Sequence, residues 1–83
     1  MNKGTVTDDE ICRIIASVLA KETAKGGVTP AMNLRADLAI DSLGLMSIVF
    51  ALEEKLGLDT FGQVEEFVGA EHVSDIIAIV RKI

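Results

Sequence analysis

The 83-residue chain is 49% hydrophobic and 25% charged, enough for one small globular domain with a modest core and too short for a cleft between two domains. Thirteen acidic against eight basic side chains give a net charge of −5, a sign that repels a phosphate backbone and argues against nucleic-acid binding. A single cysteine, Cys12, and a single histidine, His72, supply neither an internal disulfide nor the usual ligands of a metal site.

The first ten residues lack the apolar segment of a signal peptide. The longest uncharged stretch with helical character, Ser42 to Leu52, falls well short of the roughly 18–20 residues that cross a bilayer. The expectation is a cytoplasmic monomer with no membrane insertion.

Thr7, three residues before Glu10, reads as a capping box, with Asp8 and Asp9 favouring the positive end of a helix dipole. Ile11, Ile14, Ile15, Val18 and Leu19 then recur at spacings of three and four, which predicts a helix over about 8–22, stopped by Lys25-Gly26-Gly27. Cys12 lies beside that stripe and reads as a small buried hydrophobe. Residues 26–40 form a long connection; a loop of that length needs anchors, and Val28, Met32, Leu34 and Leu38 are the candidates.

A second helix is predicted over 42–56, capped by Asp41 or Ser42 and ended by Gly57. At about 100° per residue, Leu45, Ile48, Val49, Leu52 and Leu56 share one sector, the core face. Leu43, Met46 and Phe50 form a separate apolar strip, with Glu53 and Glu54 at its far end. Val64, Phe67 and Val68 suggest a short helix over 63–68 between Gly62 and Gly69. His72 or Glu71 precedes a last helix over 73–82, whose apolar face is Val73, Ile76, Ile77, Val80 and Ile83. No strand alternation appears, so the fold class is all-α: a small four-helix bundle of three main helices and one short one, with a long first loop, in a single domain over 1–83.

The charge is unevenly placed. Residues 1–40 are neutral, whereas 41–72 carry Asp41, Glu53, Glu54, Asp59, Glu65, Glu66 and Glu71 against Lys55 alone, a net −6 that would steer basic partners. Ser42 follows an acid, opens a helix, ends the long loop and heads the apolar strip. A helix N-terminus favours a phosphate, so a serine there could carry a phosphodiester; equally, Asp-Ser could be no more than a cap.

Asp37-Leu38-Ala39-Ile40-Asp41-Ser42-Leu43, continuing into Ala51-Leu52-Glu53-Glu54-Lys55-Leu56, resembles the acyl carrier proteins, and the likeness covers nearly the whole chain. The resemblance implies that Ser42 is the attachment point of 4′-phosphopantetheine, transferred from coenzyme A by a phosphopantetheinyl transferase. It implies that Asp41 assists the metal in that transferase complex, and that the free protein needs no metal of its own. It implies a non-catalytic carrier of acyl groups, delivering them to fatty-acid, polyketide or specialised lipid biosynthesis enzymes. An apolar interior could shelter an acyl chain at roughly 0.8 kcal/mol per buried CH₂. Leu43, Met46 and Phe50 match the family's apolar docking positions. Glu53 and Glu54 match acidic positions that meet basic patches on acyl-transferring and condensing enzymes.

The chain departs from common fatty-acid carriers in having Gly44 and Ser47 where acids are frequent, Ala39 in place of a glycine, and Phe61-Gly62 without the usual Ile-Pro. Those departures favour a specialised carrier over a housekeeping one. Two other readings compete: a D-alanyl or peptidyl carrier, and an unmodified acidic adaptor that binds a helix through Leu43, Met46 and Phe50. A serine hydrolase is excluded by the want of a Gly-x-Ser-x-Gly elbow and of any histidine besides His72.

Overall fold

A computed structural model describes residues 6–19 and 26–83. Its elements are α1 (Asp8–Val18), α2 (Ser42–Leu56), a 3₁₀ turn (Phe61–Gln63), α3 (Val64–Val68) and α4 (Val73–Lys82). This is the expected small all-α bundle, and among the described residues no strand forms.

The helices form because each hides one stripe. Ile11, Ile14 and Ile15 of α1 meet Leu45, Ile48, Val49 and Leu52 of α2 and Val73, Ile76, Ile77 and Val80 of α4 in one core. Phe67 of α3 is fully buried and plugs the space between α2 and α4. Cys12 is buried, as its place beside the stripe suggests. Burial, with Asp8 and Asp9 close by, pushes its thiol pKa up.

The caps account for where the elements begin. The Thr7 hydroxyl accepts from the Glu10 N–H at 3.1 Å, and Asp8, Asp9 and Glu10 occupy the first turn of α1. Gly57 ends α2 in the left-handed region at φ 65°, which a glycine adopts without steric cost. His72 is the residue before α4, and the Asp75 carboxylate accepts from the N–H groups of both His72 and Glu71, at 2.9 and 3.0 Å. Those two bonds, with His72 beside it, hold the Asp75 carboxyl below its ordinary value.

One boundary differs from expectation. The first helix ends at Val18 rather than near residue 22, because Leu19 is already extended at φ −87° and ψ 158°. The Leu19 N–H closes on the Ala16 carbonyl, the Ser17 hydroxyl bonds the Ile14 carbonyl, and no basic side chain stands in the last turn to favour continuation. Residues 20–25, where the Lys25 part of the stop signal falls, lie outside the described residues.

The long loop is anchored. Leu34, Leu38 and Ile40 are buried, with Val28 and Met32 packed against the core. The loop is also sewn to the start of α4 by the Leu34 N–H to the Glu71 carbonyl, Val73 N–H to Met32 and Ser74 N–H to Pro30, at 2.9–3.0 Å, around an isolated antiparallel bridge between Asn33 and His72.

Candidate functional site

The segment that leads into α2 is a hydrogen-bonded knot. The Asn33 side chain accepts from the N–H groups of Arg35 and Ala36, and the Asp37 carboxylate accepts from the Asn33 N–H at 2.7 Å. The Asn33 carbonyl takes the N–H groups of Asp37 and Leu38 in return. Ala39 then turns the chain at φ 53°, the one non-glycine residue in the left-handed region among those described. Ile40 drops into the core, and the chain emerges at Asp41, the extended residue that caps α2.

Of the two candidate caps, Asp41 does the work: its carboxylate accepts from the Gly44 N–H at 2.8 Å. Ser42 is therefore the first helical residue and not the cap, and its side chain is exposed. The Ser42 and Leu43 N–H groups precede the first intrahelical bond, made by the Leu45 N–H to Asp41. A hydroxyl free of capping duty, open to solvent, at the positive end of a 15-residue helix is suited to hold a phosphate ester.

Gly44 has a local reason to lack a side chain. A Cβ there would stand 3.3 Å from Ile40 Cγ2 and 3.4 Å from Asp41 Oδ1. The tight packing of cap and anchor against the first turn leaves little room for the acid common at this position.

Beside Ser42 opens a cleft of about 70 Å³ between the loop, α2 and the far end of α3. Leu34, Ile40, Leu45, Met46, Val68 and Ala70 line it, and its polar members, Arg35, Asp41 and Ser42, are exposed and form its rim. A cavity this small takes a few methylene-sized groups; a longer chain fits only if α2 and the segment around Val68 part.

The predicted surface strip is real but uneven. Leu43 is 79% exposed and Phe50 62%, whereas Met46 is half-buried and turned into the cleft. Glu54 is exposed, but Glu53 is half-buried and accepts the hydroxyl of Thr60, which is wholly buried. Glu53 thus holds the loop after α2 as well as adding negative charge. Val68, read with Val64 and Phe67 as part of the short helix, and Phe61 are apolar surface residues, exposed at 56% and 86%. In the sequence Phe61 stood out only as part of Phe61-Gly62, where the usual Ile-Pro is missing.

His72 does not line the cleft with Ser42, and among the described residues no hydrogen bond joins the two as a base–nucleophile pair would need. Among the described residues no cluster of His, Cys, Asp and Glu could hold a metal ion, and no helix is long and apolar enough to cross a membrane.

Residues 9–80 match the family described as the phosphopantetheine attachment site. The chain is also 31% identical over 80 residues to the meromycolate extension acyl carrier proteins of Mycobacterium bovis and of Mycobacterium tuberculosis, covering 94% of this chain and 68% of theirs. The chain belongs to the acyl carrier protein family. Its prosthetic group is covalent 4′-phosphopantetheine, and its role is to carry acyl groups on that arm. No solved structure matches the carrier significantly. Carrier domains of this kind work with a phosphopantetheinyl transferase and with biosynthetic enzymes, and are in general not catalysts themselves.

Proposed function

We propose that Ser42 Oγ of this carrier is the atom to which the arm is joined, and that the protein delivers acyl groups to enzymes of lipid-type biosynthesis without catalysis of its own. The arm's thiol supplies the chemistry, holding the acyl group as a thioester that activates its carbonyl and acidifies its α-carbon. The chain's own residues position and present it. Asp41, by capping the helix, leaves the Ser42 hydroxyl open to solvent; its second carboxylate oxygen, which accepts no hydrogen bond among the described residues, would assist the transferase metal. Buried Ile40 and Leu45 fix the serine's backbone on both sides, so the arm leaves from a rigid point.

The observation that carries this reading is the exposed Ser42 hydroxyl, released from capping at the rim of an apolar cleft. Leu43, Met46 and Phe50 form the apolar part of the partner-facing surface, with Glu54 and, in part, Glu53 as its acidic end. The partners are acyl-transferring and condensing enzymes with basic docking patches. The likeness to meromycolate extension carriers, together with Gly44 and Ser47 in place of acids, supports a specialised pathway over a housekeeping one, and the carrier is assigned to the cytoplasm.

Intact mass after incubation with coenzyme A and a broad-specificity phosphopantetheinyl transferase is the test. Wild type gains one phosphopantetheine and Ser42→Ala gains none. Modification of Ser42→Ala would overturn the assignment of the serine. A Met46→Glu variant that loads normally but no longer accepts acyl groups from its partner would place Met46 in docking.

A further inference from the structure

We propose that Arg35 is an oxyanion ligand of the Ser42 cleft, placed to hold an anionic group beside the serine: the phosphodiester of the arm, or a carboxylate at the end of the cargo. The proposal rests on Ser42 as the attachment point. Among the described residues, Arg35 is the one cation that lines the cleft, together with Ser42 and Asp41. Its position is fixed by the knot: its N–H donates to Asn33 Oδ1 at 2.9 Å, and its carbonyl accepts from the Ala39 N–H at 3.1 Å.

Its guanidinium also has no ion-pair partner among the described residues. Among the described residues, Arg13 pairs with Asp9, Arg81 with Asp8 and Lys82 with Glu66, while Arg35 and Lys55 form no ion pair, and of those two only Arg35 lines the cleft. The acids nearest in sequence accept backbone N–H groups instead of pairing with Arg35. Asp37 receives the Asn33 N–H and Asp41 the Gly44 N–H. A protein of net charge −5 thus places, at the cleft where a negative group is to be attached, a cation that no acid among the described residues pairs with. The Asp41 carboxylate repels that group, and Arg35 offsets it. A planar guanidinium suits the task, because two of its N–H groups can meet two oxygens of a phosphate or carboxylate.

The experiment compares wild type, Arg35→Gln and Arg35→Lys as apo and fully phosphopantetheinylated proteins, with complete conversion verified by intact mass. Phosphorus-31 NMR of the loaded protein and the difference in Tm between loaded and apo forms are read at low and high salt. For the cargo, the arm is loaded with succinyl or butyryl, four-carbon groups that differ by a carboxylate.

The apo proteins are expected to melt together, since Arg35 makes no ion pair among the described residues. In the loaded proteins, Arg35→Gln is expected to move the phosphorus resonance and lower the loaded-minus-apo Tm difference. Arg35→Lys restores part of the effect, and salt erases it. A dependence on Arg35 seen only with succinyl assigns the oxyanion to the cargo; one present with the bare arm assigns it to the phosphodiester. Full loading with identical spectra and Tm differences in wild type and Arg35→Gln, for the bare arm and both cargoes, overturns the role of Arg35 alone. No mass gain on wild type overturns the attachment reading and this proposal with it.

Discussion

Ala39→Gly is expected to stabilise the carrier, although it adds no contact. Ala39 sits at φ 53°, where an L-residue costs roughly 1–2 kcal/mol and glycine is free of the clash. The gain is offset by the greater freedom of glycine in the unfolded chain, roughly 0.4–1 kcal/mol. Nothing else is lost: the residue is exposed, so its methyl group buries little, and its N–H keeps the bond to the Arg35 carbonyl. The net is a gain of about 0.5–1 kcal/mol, which for a domain of this size raises Tm by roughly 2–8 °C. Urea unfolding followed by circular dichroism checks it: the midpoint rises with the slope unchanged. Ala39→Val, β-branched in the same conformation, is expected to move the midpoint the other way. A midpoint unmoved or lowered by glycine, at constant slope, would refute the claim that this turn stores strain.

Glu53→Ala removes the acceptor of a wholly buried hydroxyl and is expected to cost about 1–3 kcal/mol in urea unfolding, while Glu54→Ala stays within about 0.5 kcal/mol of wild type. Equal effects of the two would show that the Thr60 bond contributes nothing. The Asp75 carboxyl titrates below its ordinary 3.8, so it contributes stability that is complete above that pH and is lost as pH falls through the lower folded-state value. Asp75→Ala is therefore expected to melt lower than wild type at pH 7, by about 1 kcal/mol of lost capping, with the gap closing in acid; a gap independent of pH counts against the carboxylate. Cys12, buried and with its pKa raised, is expected to react with a thiol reagent at neutral pH only after denaturation. Native apo protein then shows no fast thiol and the loaded form shows one; a fast thiol in the apo form would contradict the burial.

Much of the fold was legible because its signals are local. The bounds of α2 and α4 follow from Asp41, Gly57 and the change of pattern at Val73, and the core faces follow from spacing at three and four. The end of α1 was not legible, because Val18 and Leu19 extend the apolar stripe past the point where the backbone leaves the helix, and periodicity reports a face and not a boundary. The Glu53–Thr60 bond joins residues seven apart across Gly57, and the bridge from Asn33 to His72 crosses half the chain; neither leaves a periodic trace. For the site, the serine and its acid were visible as a motif. Which of them caps, the turn of Met46 into the cleft and the apposition of Val68 depend on tertiary packing. Ala39 shows the boundary well: the missing glycine is visible as a residue type, but its meaning needs the dihedral angle.

The three backbone bonds between residues 30–34 and 71–74 make the serine's setting answerable to the far end of the chain. Leu34 lines the cleft and also donates across this seam, so its amide proton exchanges only when the seam unzips. Exchange at Leu34, Val73 and Ser74 therefore offers a clock for how often the molecule yawns beside its tether, read without any ligand. A lesion in the last helix could silence delivery while leaving the serine and its neighbours chemically untouched.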